Sequence, residues 1–276
     1  MAKLTAIIQL SRPINTLITG LSVLVAVIIT GKLTPVSALI LACLSAGLIA
    51  AASNTINDVF DIEIDRVNKP LRPLASGKLS KNSAQVVALI EYFIGNVLAL
   101  FISTDMFLFA FLFSILSFLY SAYLKRTILW GNFAVSFISA AAFIYGGLAV
   151  NRPLVAVIPA GFAFFFHFGR EIIKDLEDIK GDTLGNARTL PIRFGPGPCI
   201  ALIWVNFIIL ILLTILPYGM GWYGGLYFLI VVVGVYPVIL YALITILKNT
   251  QPAHLGFLSN LLKADMLVGL LAIYLR

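Results

Sequence analysis

Long apolar runs dominate this sequence and restrict what the chain can fold into. A helix that crosses a bilayer needs about 20 mostly apolar residues, and nine stretches meet that requirement. They cover residues 14–31, 36–57, 83–103, 106–124, 129–149, 153–174, 198–218, 222–247 and 257–275. These runs are too long and too uniformly apolar for the strands of a membrane barrel. The sequence therefore predicts an all-α integral membrane protein with nine transmembrane helices.

Composition excludes a soluble globular protein. Apolar residues make up 61% of the chain and charged residues 11%, whereas soluble domains carry about 25% charged residues. Cys43 and Cys199 each lie in an apolar run without metal-like spacing, which predicts packing rather than a disulfide. Residues 2–10 predict a short interfacial helix that ends before Arg12-Pro13, and we expect no cleaved signal peptide.

The basic residues indicate how the chain is oriented in the membrane. The formal net charge is +7, but the lysines and arginines form short groups between apolar runs rather than the continuous tract of a nucleic-acid-binding protein. The N-terminal segment and the loops after the second, fourth, sixth and eighth spans hold 15 of the 19, when Arg170 and Lys174 at the end of the sixth span are included. This bias places the N-terminus and the long loops 58–82 and 175–197 in the cytoplasm, with the C-terminus outside.

The acidic residues are still more unevenly distributed, because nine of the twelve lie in two short segments. Each segment begins at the predicted cytoplasmic end of a span. The first segment holds Asp58, Asp61, Glu63 and Asp65, and the second holds Glu171, Asp175, Glu177, Asp178 and Asp182. Both acidic segments are therefore expected at the same face of the membrane.

The two segments share one spacing, Asp-x₂-Asp-x₃-Asp, starting at Asp58 and at Asp175. We call Asp58, Asp61 and Asp65 the first aspartate row, and Asp175, Asp178 and Asp182 the second aspartate row. On a continuous helix, positions i, i+3 and i+7 share a face, so each row is expected to point its three carboxylates in one direction. Asn54, one turn earlier, extends the first row.

Carboxylates aligned in this way repel one another unless a cation lies between them. Mg²⁺ prefers oxygen ligands and binds through one or two carboxylates together with substrate phosphates. Two facing rows would hold a diphosphate through bridging metal ions, which stabilise it as a leaving group. Solvated loop charges would explain a single Asp-x₂-Asp, but they do not explain two matched rows at two span ends.

Several basic side chains near the rows are candidates for neutralising phosphate charge. Taken singly, each is better explained as a topology signal or a contact with lipid headgroups; it is as a group at the acidic face that they could neutralise phosphate. They are Arg66, Lys69 and Arg72 after the first row, Lys125 and Arg126 at the end of the fourth span, and Arg170 and Lys174 before the second row.

These motifs resemble the signature pair of the UbiA superfamily of intramembrane prenyltransferases, and the similarity extends over residues 1–276 as one domain. The resemblance implies nine helices around a central cavity, short helices in the two long loops, and a prenyl diphosphate bound with Mg²⁺. It implies catalytic metal binding by both rows, with Asn57 as a further ligand. It also places Tyr120, Tyr123 and Lys125 near the diphosphate, although their spacing departs from the Tyr-x₃-Lys of the superfamily.

The segment 170–182 resembles most closely the digeranylgeranylglyceryl phosphate synthases, the branch of this superfamily that serves archaeal ether-lipid synthesis. That resemblance implies transfer from geranylgeranyl diphosphate to the free hydroxyl of geranylgeranylglyceryl phosphate. Arg12 and Asn15 would then assist in binding a lipid-phosphate acceptor. An aromatic acceptor, such as a quinone precursor, a chlorophyll precursor or haem, remains the alternative within the superfamily.

Three polar residues inside spans have weaker signals. His167 lies one turn before Glu171, so the pair could act as a base for an acceptor hydroxyl or simply line the mouth of the cavity. Glu91 is an intramembrane carboxyl group, and such groups are often functional, but it could equally hydrogen-bond a neighbouring helix.

Two alternatives from other functional classes remain. A cation transporter would carry isolated carboxylates within its spans, whereas nine of the twelve acidic residues here lie at one face. A non-catalytic lipid-binding scaffold would leave the two matched rows unexplained.

Overall fold

The fold was analysed in a computed structural model that describes residues 2–276. Within these residues, fourteen α-helices account for nearly all of the regular structure. They are α1 (Ala2–Leu10), α2 (Pro13–Ile29), α3 (Val36–Phe60), α4 (Ile62–Asn68), α5 (Lys81–Leu100), α6 (Thr104–Ala122), α7 (Trp130–Ala149), α8 (Val157–Glu177), α9 (Ile179–Leu184), α10 (Leu190–Phe194), α11 (Pro196–Gly219), α12 (Gly225–Ile230), α13 (Tyr236–Ile246) and α14 (Pro252–Tyr274). A π-helical turn, Val231–Val235, joins α12 to α13 into one span.

The helices confirm a multi-pass membrane protein. Within the described residues, eight helical segments are long and apolar enough to cross a bilayer. The remaining predicted span, the first one at residues 14–31, corresponds to α2, which has 17 residues. It meets the requirement only together with α1, from which it bends by 47°. The last helix begins at Pro252, five residues before the predicted boundary, so Lys263 lies near its middle rather than near its start.

The first and last spans pack together and close the bundle around its centre. Helix α2 contacts α3, α7 and α14, while α8 contacts α7, α11 and α14. Helices α4 and α9 pack against each other at the end of the bundle where both aspartate rows lie. We call this the aspartate end.

Small residues allow the central helices to approach closely, which is typical of helix pairs in membranes. At Gly146 of α7, an added Cβ atom would lie 2.5 Å from the carbonyl oxygen of Val23 and 2.8 Å from the Cβ atom of Ala26, both on α2. A side chain at this position would therefore push α7 away from α2.

Gly146→Ala is expected to destabilise the protein by about 1–3 kcal/mol, because the added methyl group overpacks the α2–α7 contact. The measurement is the midpoint of thermal unfolding in detergent. Gly161→Ala in α8 is the matched control, since a Cβ atom there meets nothing within 4 Å. Equal midpoints for the two variants would contradict the close approach of α2 and α7.

One expectation about the aspartate rows is wrong: neither row lies on one continuous helix. Helix α3 ends at Phe60 and α4 begins at Ile62, with Asp61 between them at φ −101° and ψ 5°. Asp178 separates α8 from α9 in the same way, at φ −92° and ψ 6°. The chain leaves the span at these residues and turns across the end of the bundle, which allows α4 and α9 to meet. The middle aspartate of each row therefore lies at a helix break.

Candidate active site

A cavity of about 410 Å³ lies inside the bundle and reaches the aspartate end. Helices α2, α3, α6, α7, α8 and α14 supply its walls. Asn54 and Asn57 line it near the aspartate end, where α3 finishes. Phe109 and Phe113, whose rings stack with centroids 4.5 Å apart, line it deeper in the bundle. The cavity thus joins a polar mouth to an apolar interior.

Two carboxylates of the first row converge on one arginine. The Arg72 guanidinium donates to Asp65 at 2.6 and 2.8 Å and to Asp58 at 3.1 Å, and Arg12 also pairs with Asp58. Asp58 is 2% exposed and Asp65 is 5% exposed. Buried charges require such partners, so Arg12 and Arg72 hold this half of the row in the folded protein.

Asp61 points to a different partner. It pairs with Lys125 and accepts a hydrogen bond from Asn57 Nδ2 at 3.0 Å. Lys125 lies in a short 3₁₀ turn, Leu124–Arg126, that packs directly on the start of α7. A Cβ atom at Gly131 would lie 2.6 Å from the Cα atom of Lys125, so the absence of a side chain there lets the turn carry Lys125 inward.

Two aspartates of the second row also bond to side chains from other parts of the chain. Asp175 accepts a hydrogen bond from Asn132 Nδ2 of α7 at 2.7 Å. Asp178 accepts from Lys69 Nζ at 3.2 Å and from Asn68 Nδ2 at 3.3 Å. Because Asn68 and Lys69 follow the first row directly, they link the two rows across the mouth of the cavity.

Burial leaves part of this negative charge poorly compensated. Burial, followed by the nearby charge of Asp178, raises the pKa of Asp182 to about 6. Burial also raises the pKa of Asp65, against the opposing effect of Arg72. Both shifts show that the folded protein disfavours these negative charges as they stand and would gain from an added cation.

The donor set fits Mg²⁺ completed by phosphate oxygens. Within the described residues, no group of three His, Cys, Asp or Glu side chains is arranged to hold a metal ion without other ligands. Mg²⁺ does not require such a group, because it usually takes one or two carboxylates together with substrate phosphates and water. The aspartate rows and Asn57 supply hard oxygen donors, and two cations of the cavity lining, Lys69 and Arg72, contact the rows.

Most of the predicted substrate-binding residues meet at this cavity. Its lining includes Arg12, Asn15, Asn54, Asn57, Lys69, Arg72, Tyr120, His167, Arg170 and Lys174. Lys125 joins the group through its contact with Asp61.

Three predicted residues lie away from the cavity. Arg66 pairs with Glu63 at 2.7 Å on the exposed side of α4. Tyr123 is 68% exposed, and Arg126 accepts a hydrogen bond from the Arg188 N–H at its backbone carbonyl. Each lies one or three positions in sequence from a residue that reaches the cavity or its aspartates, but it is not itself part of the cavity lining.

His167 and Glu171 both line the cavity, as one of the two interpretations of the sequence proposed. Glu171 accepts hydrogen bonds from Arg170 at 3.0 Å and from Lys174 at 2.9 Å, and it is 7% exposed. A carboxylate engaged by two cations is a weak proton acceptor. The geometry therefore favours a charge-pairing role for Glu171 over the base hypothesis.

Sequence reasoning missed several residues of the site. Asn132 and Asn68 bond directly to the second row, and Asn260 and Lys263 of α14 line the cavity. Lys263 carried a usable signal, because a charged residue inside an apolar span is a functional candidate. The asparagines carried none, since nothing in their spacing relates them to the rows.

A second cavity, of about 80 Å³, adjoins the first and is mostly apolar. The two share Ile18, Ser22, His167 and Met266 in their walls. Its remaining lining comes from α7, α8 and α11 to α14, including Phe162. The apolar interior therefore continues beyond the main cavity.

Residues 17–261 match the model of the UbiA prenyltransferase family. The chain belongs to this family. It is 39% identical to a digeranylgeranylglyceryl phosphate synthase from Methanopyrus kandleri over 97% of each chain. These matches confirm the family and the resemblance to its ether-lipid branch.

Solved UbiA structures share the fold. One described as a digeranylgeranylglyceryl phosphate synthase is 30% identical, with a TM-score of 0.76, and covers 99% of this chain and 98% of its own. A UbiA homologue from Archaeoglobus fulgidus bound to DMAPP and Mg²⁺ is 20% identical, with a TM-score of 0.72, over 95% of this chain and 98% of its own. The all-helical membrane fold predicted from the sequence is therefore the UbiA fold.

Proposed function

We propose that this chain transfers a geranylgeranyl group from geranylgeranyl diphosphate to the free hydroxyl of geranylgeranylglyceryl phosphate. The observation that supports the proposal is the cavity itself, whose mouth is lined by cations that pair with row aspartates and whose interior is apolar. The choice of acceptor rests on the 39% identity to a synthase of that name over nearly the full chain.

The mouth of the cavity suits the diphosphate of the donor. Lys69, Arg72 and Lys125 each contact a row aspartate, so they are already directed to the space between the rows. Asp58, Asp61, Asp65, Asp175, Asp178 and Asp182, with Asn57, would hold Mg²⁺. When bound, Mg²⁺ supplies positive charge that stabilises the departing diphosphate. The Archaeoglobus fulgidus homologue binds a prenyl diphosphate with this metal.

The interior suits the hydrocarbon tail and the reactive carbon. The aromatic rings of Phe109, Phe113 and Tyr145 line the wall below the mouth. Their faces stabilise positive charge through cation–π interactions while the apolar wall excludes water. The allylic C–O bond breaks with its electron pair leaving on the diphosphate, the acceptor hydroxyl oxygen bonds to the allylic carbon, and the hydroxyl proton passes to the diphosphate.

The decisive assay uses purified protein in detergent with labelled geranylgeranyl diphosphate, Mg²⁺ and geranylgeranylglyceryl phosphate. We expect a labelled lipid product that is lost when EDTA removes the metal. A parallel reaction contains an aromatic acid in place of the lipid acceptor. Transfer to the aromatic acid alone would overturn the acceptor assignment, and no metal-dependent transfer to either would overturn the proposed function.

We also propose that the aspartate end faces the cytoplasm, on the strength of the basic residues in its loops. In a background without Cys43 and Cys199, a membrane-impermeant maleimide is expected to label Asp105→Cys in intact cells. Lys180→Cys, beside the second row, is expected to react only after permeabilisation. Labelling of Lys180→Cys in intact cells would reverse the orientation.

A further inference from the structure

One wall of the cavity, formed by α8 and α14, carries a group of cations separate from the two rows. Arg170 and Lys174 of α8 both bond to Glu171, which belongs to neither row. Arg170 Nε also donates to the carbonyl oxygen of Ser259 at 3.0 Å, which fixes the guanidinium against α14. Lys263 lines the same cavity one helical turn deeper along α14 than Ser259.

Lys263 is a surplus positive charge. Among the residues that the structure describes it forms no ion pair. Arg170, Arg12 and Lys174 line the same cavity, and their like charges oppose the charge on Lys263. A lysine inside a membrane span normally pairs with an acid or marks a substrate path. Held among three like charges, Lys263 is matched to an anion that enters the cavity.

The charge and position of this wall favour a phosphate monoester. The wall holds three cations and two carboxylates, Glu171 and Glu177, so its net charge is positive. A phosphate monoester carries about 1.5 to 2 negative charges at neutral pH with three acceptor oxygens. The diphosphate of the donor has other partners, because Lys69, Arg72 and Lys125 each contact a row aspartate. The wall is therefore available to a second phosphate-bearing molecule.

We propose that Lys263, with Arg170 and Lys174, binds the phosphate of the lipid acceptor and makes the enzyme selective for a phosphorylated acceptor. This inference rests on the proposed function. Arg12 pairs with Asp58 of the first row and lines the same cavity as Lys263. The two anion sites therefore open into one cavity, in which the acceptor hydroxyl can meet the donor.

The test compares two proteins, each assayed with two acceptors. Wild type and Lys263→Met are assayed with geranylgeranylglyceryl phosphate and with geranylgeranylglycerol, which lacks the phosphate. We expect Lys263→Met to raise KM for the phosphorylated acceptor by about 10- to 100-fold, the usual effect of losing a charged hydrogen bond. KM for geranylgeranyl diphosphate and the rate with geranylgeranylglycerol should stay as in wild type.

Two further variants separate binding from folding. Lys263→Arg should restore most of the affinity for the phosphorylated acceptor, and Lys248→Met, which removes an exposed lysine outside the cavity, should change neither KM. Without ligand, Lys263→Met should unfold at a temperature no lower than wild type, because it removes an unpaired charge. Geranylgeranylglyceryl phosphate should then raise the unfolding temperature of wild type more than that of Lys263→Met.

The outcomes distinguish this inference from the function on which it rests. Equal losses with both acceptors, a raised KM for the donor, or wild-type transfer to both acceptors at equal KM would overturn the inference and leave the proposed function in place. Failure of wild type to use either lipid acceptor would overturn both.

Discussion

Asp61→Asn and Asp178→Asn are each expected to lower the rate of prenyl transfer by at least about 10³-fold, because metal-assisted charge stabilisation contributes several kcal/mol. These two residues stand at the helix breaks between α3 and α4 and between α8 and α9. Asparagine keeps the size of the side chain and removes its charge. The loss should therefore reflect weaker binding of Mg²⁺ and diphosphate rather than a change in the break itself.

Asp105→Asn is the matched control, since Asp105 is an exposed aspartate at the first turn of α6, far along that helix from the aspartate end. The rate is measured over a series of Mg²⁺ concentrations, and both row variants should need more Mg²⁺ than wild type for half of their maximal rate. Because residues that act as a unit are not additive, the double variant should lose little more than either single one. A row variant that keeps a tenth of wild-type activity would contradict this role.

The sequence predicted the membrane fold and the mouth of the cavity for a simple physical reason. Apolar runs of about 20 residues have no other stable arrangement in lipid, and paired Asp-x₂-Asp-x₃-Asp spacing is visible without a structure. Span boundaries differ by a few residues, as for α14, because a helix can begin before its apolar run does: α14 begins at Pro252 and the predicted span at residue 257. Lys69 and Arg72 were predicted as phosphate partners from their closeness in sequence to the first row, and Arg12 from the resemblance to the ether-lipid branch. All three line the cavity.

The sequence could not show that the aspartates of one row bond to different side chains. A helical face assumes a continuous helix, whereas the chain breaks at Asp61 and Asp178. Asn132 reaches Asp175 across 43 positions of sequence, a contact that only packing of α7 on α8 creates. Lys263 was visible as an odd charge in an apolar run, but its three cationic neighbours come from two other parts of the chain.

Lys125→Met is expected to lower the rate of transfer by about 10²- to 10³-fold, the usual effect of removing one preorganised group that stabilises developing charge. Lys125 is the cation that the 3₁₀ turn after α6 holds against Asp61, and 13% of its side chain is exposed. Removing it also leaves the Asp61 carboxylate buried without its partner, which destabilises a protein by about 3–5 kcal/mol. A loss of activity alone would therefore not separate catalysis from folding.

The double variant Lys125→Met/Asp61→Asn separates them. It should recover most of the lost thermal stability, because the unpaired carboxylate is gone, yet it should remain inactive. Lys78→Met, at an exposed loop position, should match wild type in both measurements. Recovery of activity together with stability would show that Lys125 serves only to neutralise Asp61. Because Asp61→Asn alone is expected to be inactive, continued inactivity in a stable double variant would show that the loss of activity does not come from unfolding.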